Sequence, residues 1–132
     1  MCKTIKLKVR FPAPPDEIYR LLVDARTQGA YTAEKTSIDA RPGGSFSAFG
    51  GRISGINVEL VPGKRLVQAW RERRFPEGVY SMATFNLAKT PRGGTELVLT
   101  HRGVPKDLIP RITSEWRRRY WDPMKDYLER RD

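Results

Sequence analysis

The chain has 132 residues, 39% of them hydrophobic and 30% charged, which suits one globular domain spanning 1–132 and excludes a disordered or membrane-embedded composition. A formal net charge of +10 favours anionic partners such as nucleic acid, anionic membranes or acidic proteins, without choosing among them. The single cysteine, Cys2, has no internal partner, so no disulfide framework is expected, and a reducing cytoplasmic compartment follows naturally.

Ile5, Leu7, Val9 and Phe11 alternate with Lys6, Lys8 and Arg10, the period of a strand with one buried and one wet face. No uninterrupted apolar run follows Met1, and nothing later approaches the length of a membrane span. Pro12, Pro14 and Pro15 end the strand, and Pro15-Asp16-Glu17 supplies a fixed dihedral and negative charge where a helix begins. Ile18, Leu21, Leu22 and Ala25 make one helical face, and a short second helix is expected over Thr27–Thr32.

From Lys35 onward Gly and Pro punctuate a meander, because reversals need the dihedrals these residues supply. The expected strands are Ser45–Phe49, Arg52–Leu60, Arg65–Arg73, Val79–Ala88 and Thr95–Arg102, with Gly55 marking a bulge or strong bend. Pro105–Asp132 is the only segment periodic enough for a long amphipathic helix. Ile109, Ile112, Trp116, Tyr120 and Met124 form its apolar stripe, and Asp122-Pro123 should kink or restart it. The fold class is α+β: a strand, two short helices, six strands and a long C-terminal helix lying on a curved antiparallel sheet.

The chemistry-bearing residues are few. One histidine and one cysteine do not make a zinc or iron site, no cofactor is implied, and the glycine pairs read as turns rather than phosphate loops. Cys2 is not placed as a nucleophile. His101 shares a strand face with Leu97 and Leu99, so it points inward, either packed and hydrogen-bonded under the helix or as a polar contact for a ligand. Trp70, Tyr80, Phe85, Trp116 and Tyr120 either fill the core or line a cavity. Arg71, Arg73 and Arg74, then Arg117–Arg119, then Arg130 with Arg131, form basic clusters that read as solvated faces or as polyanion sites.

The order and spacing of several short motifs resemble the activator-of-heat-shock-protein-90-ATPase homologue family, within the START and birch-pollen-allergen helix-grip (SRPBCC) superfamily. They are Phe11-Pro12-Ala13-Pro14-Pro15 with Ile18-Tyr19, Ala30-Tyr31-Thr32, Gly43-Gly44-Ser45-Phe46, Gly55 with Glu59-Leu60-Val61-Pro62, and Trp70-Arg71. Thr95-Glu96-Leu97, Gly103-Val104-Pro105 and Trp116 with Tyr120-Trp121 complete the set, which covers nearly the whole chain. The resemblance implies a C-terminal helix closing a cavity against the sheet, in which superfamily members bind lipids, sterols or polyketides. It also implies a stand-alone form of a domain that the eukaryotic co-chaperone pairs with an N-terminal, chaperone-contacting domain.

The leading expectation is a non-catalytic binding protein that holds a small hydrophobic or aromatic ligand among Phe46, Trp70, Met82, His101, Trp116 and Tyr120. The alternative is a protein-interaction module using its basic face against an acidic chaperone such as heat-shock protein 90. Nucleic-acid binding through the arginine clusters would require base-stacking aromatics beside them. An enzyme of the cyclase or hydrolase type would require an assignable acid and base, and no pair of titratable residues supplies one.

Overall fold

The computed structural model describes residues 2–130, with Cys2 and Lys3 described by their backbone alone. The Cys2 thiol and Arg131, both weighed above, therefore lie outside the described atoms. Strand β1 (Cys2–Phe11) is followed by α1 (Pro15–Val23), which carries Pro15 at its start, Asp16 and Glu17 in its first turn, and Ile18, Leu21 and Leu22 on its buried face. Asp24 ends α1 and caps α2 (Ala25–Thr32). Its carboxylate accepts from the Arg26 backbone N–H at 3.1 Å and the Thr27 hydroxyl at 2.9 Å, satisfying donors that a helix start leaves free.

Six strands follow: β2 (Ser37–Ile38), β3 (Ser45–Ala48), β4 (Ile53–Val61), β5 (Arg65–Glu72), β6 (Ser81–Lys89) and β7 (Thr95–Pro105). They form one antiparallel sheet in the order β1-β7-β6-β5-β4-β3-β2, so the first strand pairs with the last and lies at an edge. The expected bulge falls two residues beyond Gly55, where the register shifts between Asn57 and Glu59. Gly55 itself sits in regular register between Phe46 and Trp70, and its role is to leave room. A Cβ there would come within 1.8 Å of the Ala69 carbonyl oxygen and 2.8 Å of the Phe46 ring.

That position belongs to a row on the concave face, Phe46–Gly55–Trp70–Ser81, in which large and small side chains alternate across four strands. Beside it Ala83 faces His101. Small residues therefore flank each ring, and the space above the sheet is left for the C-terminal helix.

That helix runs through α3 (Ile109–Glu115), a π-helical stretch (Trp116–Trp121) and α4 (Asp122–Arg130). The kink expected at Asp122-Pro123 takes the form of a widened turn, with the Asp122 N–H bonding the Arg117 carbonyl five residues back. Proline cannot donate and crowds the carbonyl one turn before it, and a π turn relieves both constraints without breaking the helix. The turn also solves a facing problem. Ile112, Trp116, Tyr120, Met124 and Leu128 are all buried, a strict four-residue repeat. At 3.6 residues per turn such a repeat drifts by roughly 40° a step, about 160° over the series, and one wide turn recovers much of that drift.

Gly55→Ala should lose about 2 kcal/mol or more of stability in urea unfolding, because neither the Ala69 backbone nor the Phe46 ring has space to yield. A loss of a few tenths would show that β4 and β5 separate more easily than the packing implies.

Candidate functional site

The residues that could hold a ligand converge between the concave sheet face and the C-terminal helix. Trp70 from β5, His101 from β7 and Trp116 from the helix are each no more than 2% exposed. The Trp116 ring centroid lies 5.4 Å from Trp70, 5.5 Å from Phe85, 5.6 Å from His101 and 4.6 Å from Tyr120. Tyr120 in turn meets Phe49 edge-on, and Phe11 meets Trp121. Offset and edge-to-face contacts of this kind are the favoured aromatic arrangements.

A hydrogen-bond chain runs through the cluster. Trp116 Nε1 donates to His101 Nδ1 at 3.0 Å, His101 Nε2 lies 2.7 Å from the Ser81 hydroxyl, and Ser81 donates to the Trp70 carbonyl at 2.8 Å. An indole N–H can only donate, so Nδ1 must carry the lone pair, which places the imidazole proton on Nε2, facing Ser81. Each of the three donors of this chain, Trp116 Nε1, His101 Nε2 and the Ser81 hydroxyl, then meets an acceptor. Burial holds the His101 pKa down at about 3, so the ring is neutral at physiological pH. Ser81 was missed by sequence reasoning, although it shares strand parity with Phe85 and could have been found from that.

The same proton placement excludes a nucleophile–base pair. With Nε2 protonated toward Ser81, no basic lone pair faces the hydroxyl, and the hydroxyl proton is committed to a backbone carbonyl. Burial also raises the Tyr120 phenol well above its ordinary pKa.

The interior is filled. The space among Leu22, Phe46, Leu66, Phe85 and Tyr120, with Gln28 and Gln68 at its polar side, amounts to about 10 Å³, at the lower limit for one water. Five of the six expected cavity residues lie on the inner side: Phe46 and Tyr120 border this space, and Trp70, His101 and Trp116 pack on one another beside it. Met82 does not join them. Ser81, Ala83, Phe85 and Leu87 occupy the inward positions of β6, so the alternation of a strand turns Met82 outward, where it is 39% exposed. Tyr80 is likewise outside, half exposed, with the Arg71 guanidinium 5.8 Å from its ring centre.

The arginine clusters divide between side chains that reach buried partners and side chains that face solvent. Arg74 bonds Glu72, which is 1% exposed, and reaches Glu115 at 3.2 Å. Burial pushes the Glu72 pKa up, but the hydrogen bonds and charge of Arg74 outweigh it and hold the carboxyl below its usual range. Arg119 lies 3.9 Å from Glu115, 3.7 Å from Glu34 and over the Phe49 ring. Arg71 donates to the Phe75 carbonyl. These side chains fasten the β5–β6 turn and the helix; Arg73, Arg117 and Arg118 remain on the surface. Among the described residues no group of His, Cys, Asp and Glu could hold a metal ion, and no helix is long and apolar enough to cross a membrane.

A curved antiparallel sheet closed by a long C-terminal helix defines a helix-grip domain. Residues 12–129 match the family described as Activator of Hsp90 ATPase homolog 1-like protein, and the chain belongs to that family. It is 34% identical over 124 residues to the activator of 90 kDa heat shock protein ATPase homolog 1 of Homo sapiens, covering 94% of this chain and 36% of that protein. The corresponding activator homolog of Dictyostelium discoideum is 32% identical, with 93% of this chain and 32% of that protein covered. The chain thus spans about a third of the length of these curated relatives. In fold it is similar to an HSP90 activator from Plasmodium falciparum, with a TM-score of 0.90 at 23% identity and 96% of both chains covered. It is also similar to the Aha1 dimer of Colwellia psychrerythraea, with a TM-score of 0.82 at 20% identity and 97% of both chains covered.

The folded His101 pKa lies below the unfolded value of 6.5, so the unfolded chain binds the extra proton as the solution is acidified. His101 therefore stabilises the fold fully above pH 6.5, and this contribution declines as pH falls toward about 3. Urea unfolding should show a loss of about 1.5 kcal/mol between pH 6.5 and 5, above the midpoints at which free carboxylates titrate. The same interval should be nearly flat for His101→Gln, whatever that variant's absolute stability.

Proposed function

We propose that this domain is a co-chaperone-like protein-interaction module whose partner is a 90-kDa heat-shock protein, recognised on the domain's surface. The observation that carries the reading is the filled interior. The space bordered by Phe46, Phe85 and Tyr120 holds about 10 Å³ and that among Trp70, Ile112, Trp116 and Tyr120 holds none, too little for a lipid, sterol or aromatic metabolite unless the Trp70–His101–Trp116 cluster comes apart. Family membership and the names of the relatives point to the chaperone. The net charge of +10 suits an acidic docking surface, steering association more than setting final affinity. Nucleic acid is a poorer match, because Trp70, Trp116 and Trp121 are all buried, which leaves the single half-exposed ring of Tyr80 as a stacking surface beside Arg71.

The ligand-carrier reading stands as the competitor and makes an opposite prediction. A bound ligand at a hundredfold excess over its Kd would add about 2.7 kcal/mol of stability and raise Tm by several degrees. A panel of fatty acids, sterols and aromatic metabolites should leave Tm unchanged. Pull-down with the cognate heat-shock protein 90 at low salt should retain the domain and release it as salt is added, with an ATPase assay reading the consequence. No retention at low salt, or a saturable Tm rise with any member of the panel, would overturn the proposal.

A further inference from the structure

Strand β1 is ten residues long, pairs only with β7, and leaves its other edge facing a groove beneath the C-terminal helix. The groove has a volume of about 340 Å³ and is lined by Lys6, Leu7, Lys8 and Val9 from the strand, and by Arg117, Trp121, Asp122 and Lys125 from the helix. Lys6, Lys8, Arg117 and Lys125 are exposed, and among the described residues none of the four is ion-paired. Asp122 is the only acid in the lining, which leaves three unbalanced positive charges. Trp121 is 3% exposed, and its buried Nε1 has no hydrogen-bond partner.

We propose that this groove takes an extended acidic segment of a partner protein, added to the free edge of β1 as an eighth strand. The inference rests on the protein-interaction reading above and names where, and with what chemistry, the partner binds. Half of the backbone N–H and C=O groups of an edge strand point away from the sheet, and an added strand satisfies them. Lys6 and Lys8 stand two residues apart, roughly 7 Å, the spacing of alternate side chains on the strand that would lie opposite. Carboxylates at that spacing meet both lysines as cross-strand pairs on the outer face, the alternate apolar residues turn toward Trp121, and Arg117 and Lys125 add positive charge along the helix side of the groove.

Edge lysines also serve to discourage aggregation. That role needs charge on the strand alone and gives no reason for two further unpaired cations on the facing helix. A polyanion attracted by charge alone would not need the backbone edge, and no exposed aromatic stands in the groove to stack a base.

The test uses an eight-residue peptide alternating Glu with Val, added to isotopically labelled protein and followed by amide hydrogen exchange. Every second amide of β1 should become protected, and Lys6→Glu/Lys8→Glu should weaken binding about tenfold or more. Arg73→Glu/Lys89→Glu, which changes the charge equally on exposed sites elsewhere, should leave affinity within about twofold. The proposal is overturned by absence of binding at low salt, by binding that leaves β1 exchange unchanged, or by equal affinity for the Lys6→Glu/Lys8→Glu protein. A single-stranded oligonucleotide of equal charge that binds as tightly and protects β1 equally would overturn it too. The same variant taken into the chaperone pull-down separates the two claims. β1 protection by the peptide without chaperone binding overturns the chaperone reading alone, and undiminished chaperone binding by the variant overturns the groove alone.

Discussion

The hydrogen bond from the Trp116 indole to His101 Nδ1 ties the C-terminal helix to β7, and the neighbouring rings are arranged around that tie. Its net contribution is about 1 kcal/mol, comparable to one of the ring contacts that surround it. The larger consequence lies in its loss. An unsatisfied buried acceptor and donor would cost about 1–3 kcal/mol each, so any helix register that moves Trp116 away from His101 is strongly disfavoured. Packing therefore supplies most of the adhesion, and the polar chain Trp116–His101–Ser81–Trp70 selects one register for it.

Two other features support that register. The π turn keeps residues 116, 120 and 124 on one face despite their four-residue spacing, and it accommodates Pro123 at the point where an ordinary helix would break. Arg74, itself exposed, joins Glu72 of β5 to Glu115 of the helix, and its loss would leave two buried carboxylates without their shared cation. The helix is thus held at two adjacent places, one aromatic and one ionic, with about 10 Å³ in the space bordered by Phe46, Phe85 and Tyr120.

Much of the architecture was legible in the sequence. Period-two alternation marked β1, the Gly and Pro punctuation marked the meander, and the spacing of Ile112, Trp116, Tyr120 and Met124 marked the helix stripe. Parity also carried information that was overlooked: Met82 and Phe85 are an odd number of residues apart, so one regular strand cannot turn both inward. The inward position of Ser81 follows from the same parity, four residues before Phe85, whereas its hydrogen-bonding role emerges only with its partners. The filling of the interior was not legible, since it depends on Gly55, Ser81 and Ala83 lying beside Phe46, Trp70 and His101 across four strand pairings. Nor could the spacing of the arginines show that Arg74 and Arg119 turn to buried carboxylates while Arg117 faces an open groove.

In the interaction reading proposed above, the interior is sealed and function lies on the outside of the molecule, where unpaired cations stand beside the edge of β1. The most direct test of that sealed interior is the protonation state of His101, read from its imidazole nitrogen resonances across pH. The account predicts a neutral ring with the proton on Nε2 from pH 8 down to about pH 4. An imidazolium forming with a midpoint near the free value of 6.5 would mean that water reaches His101 and that the helix does not close the sheet.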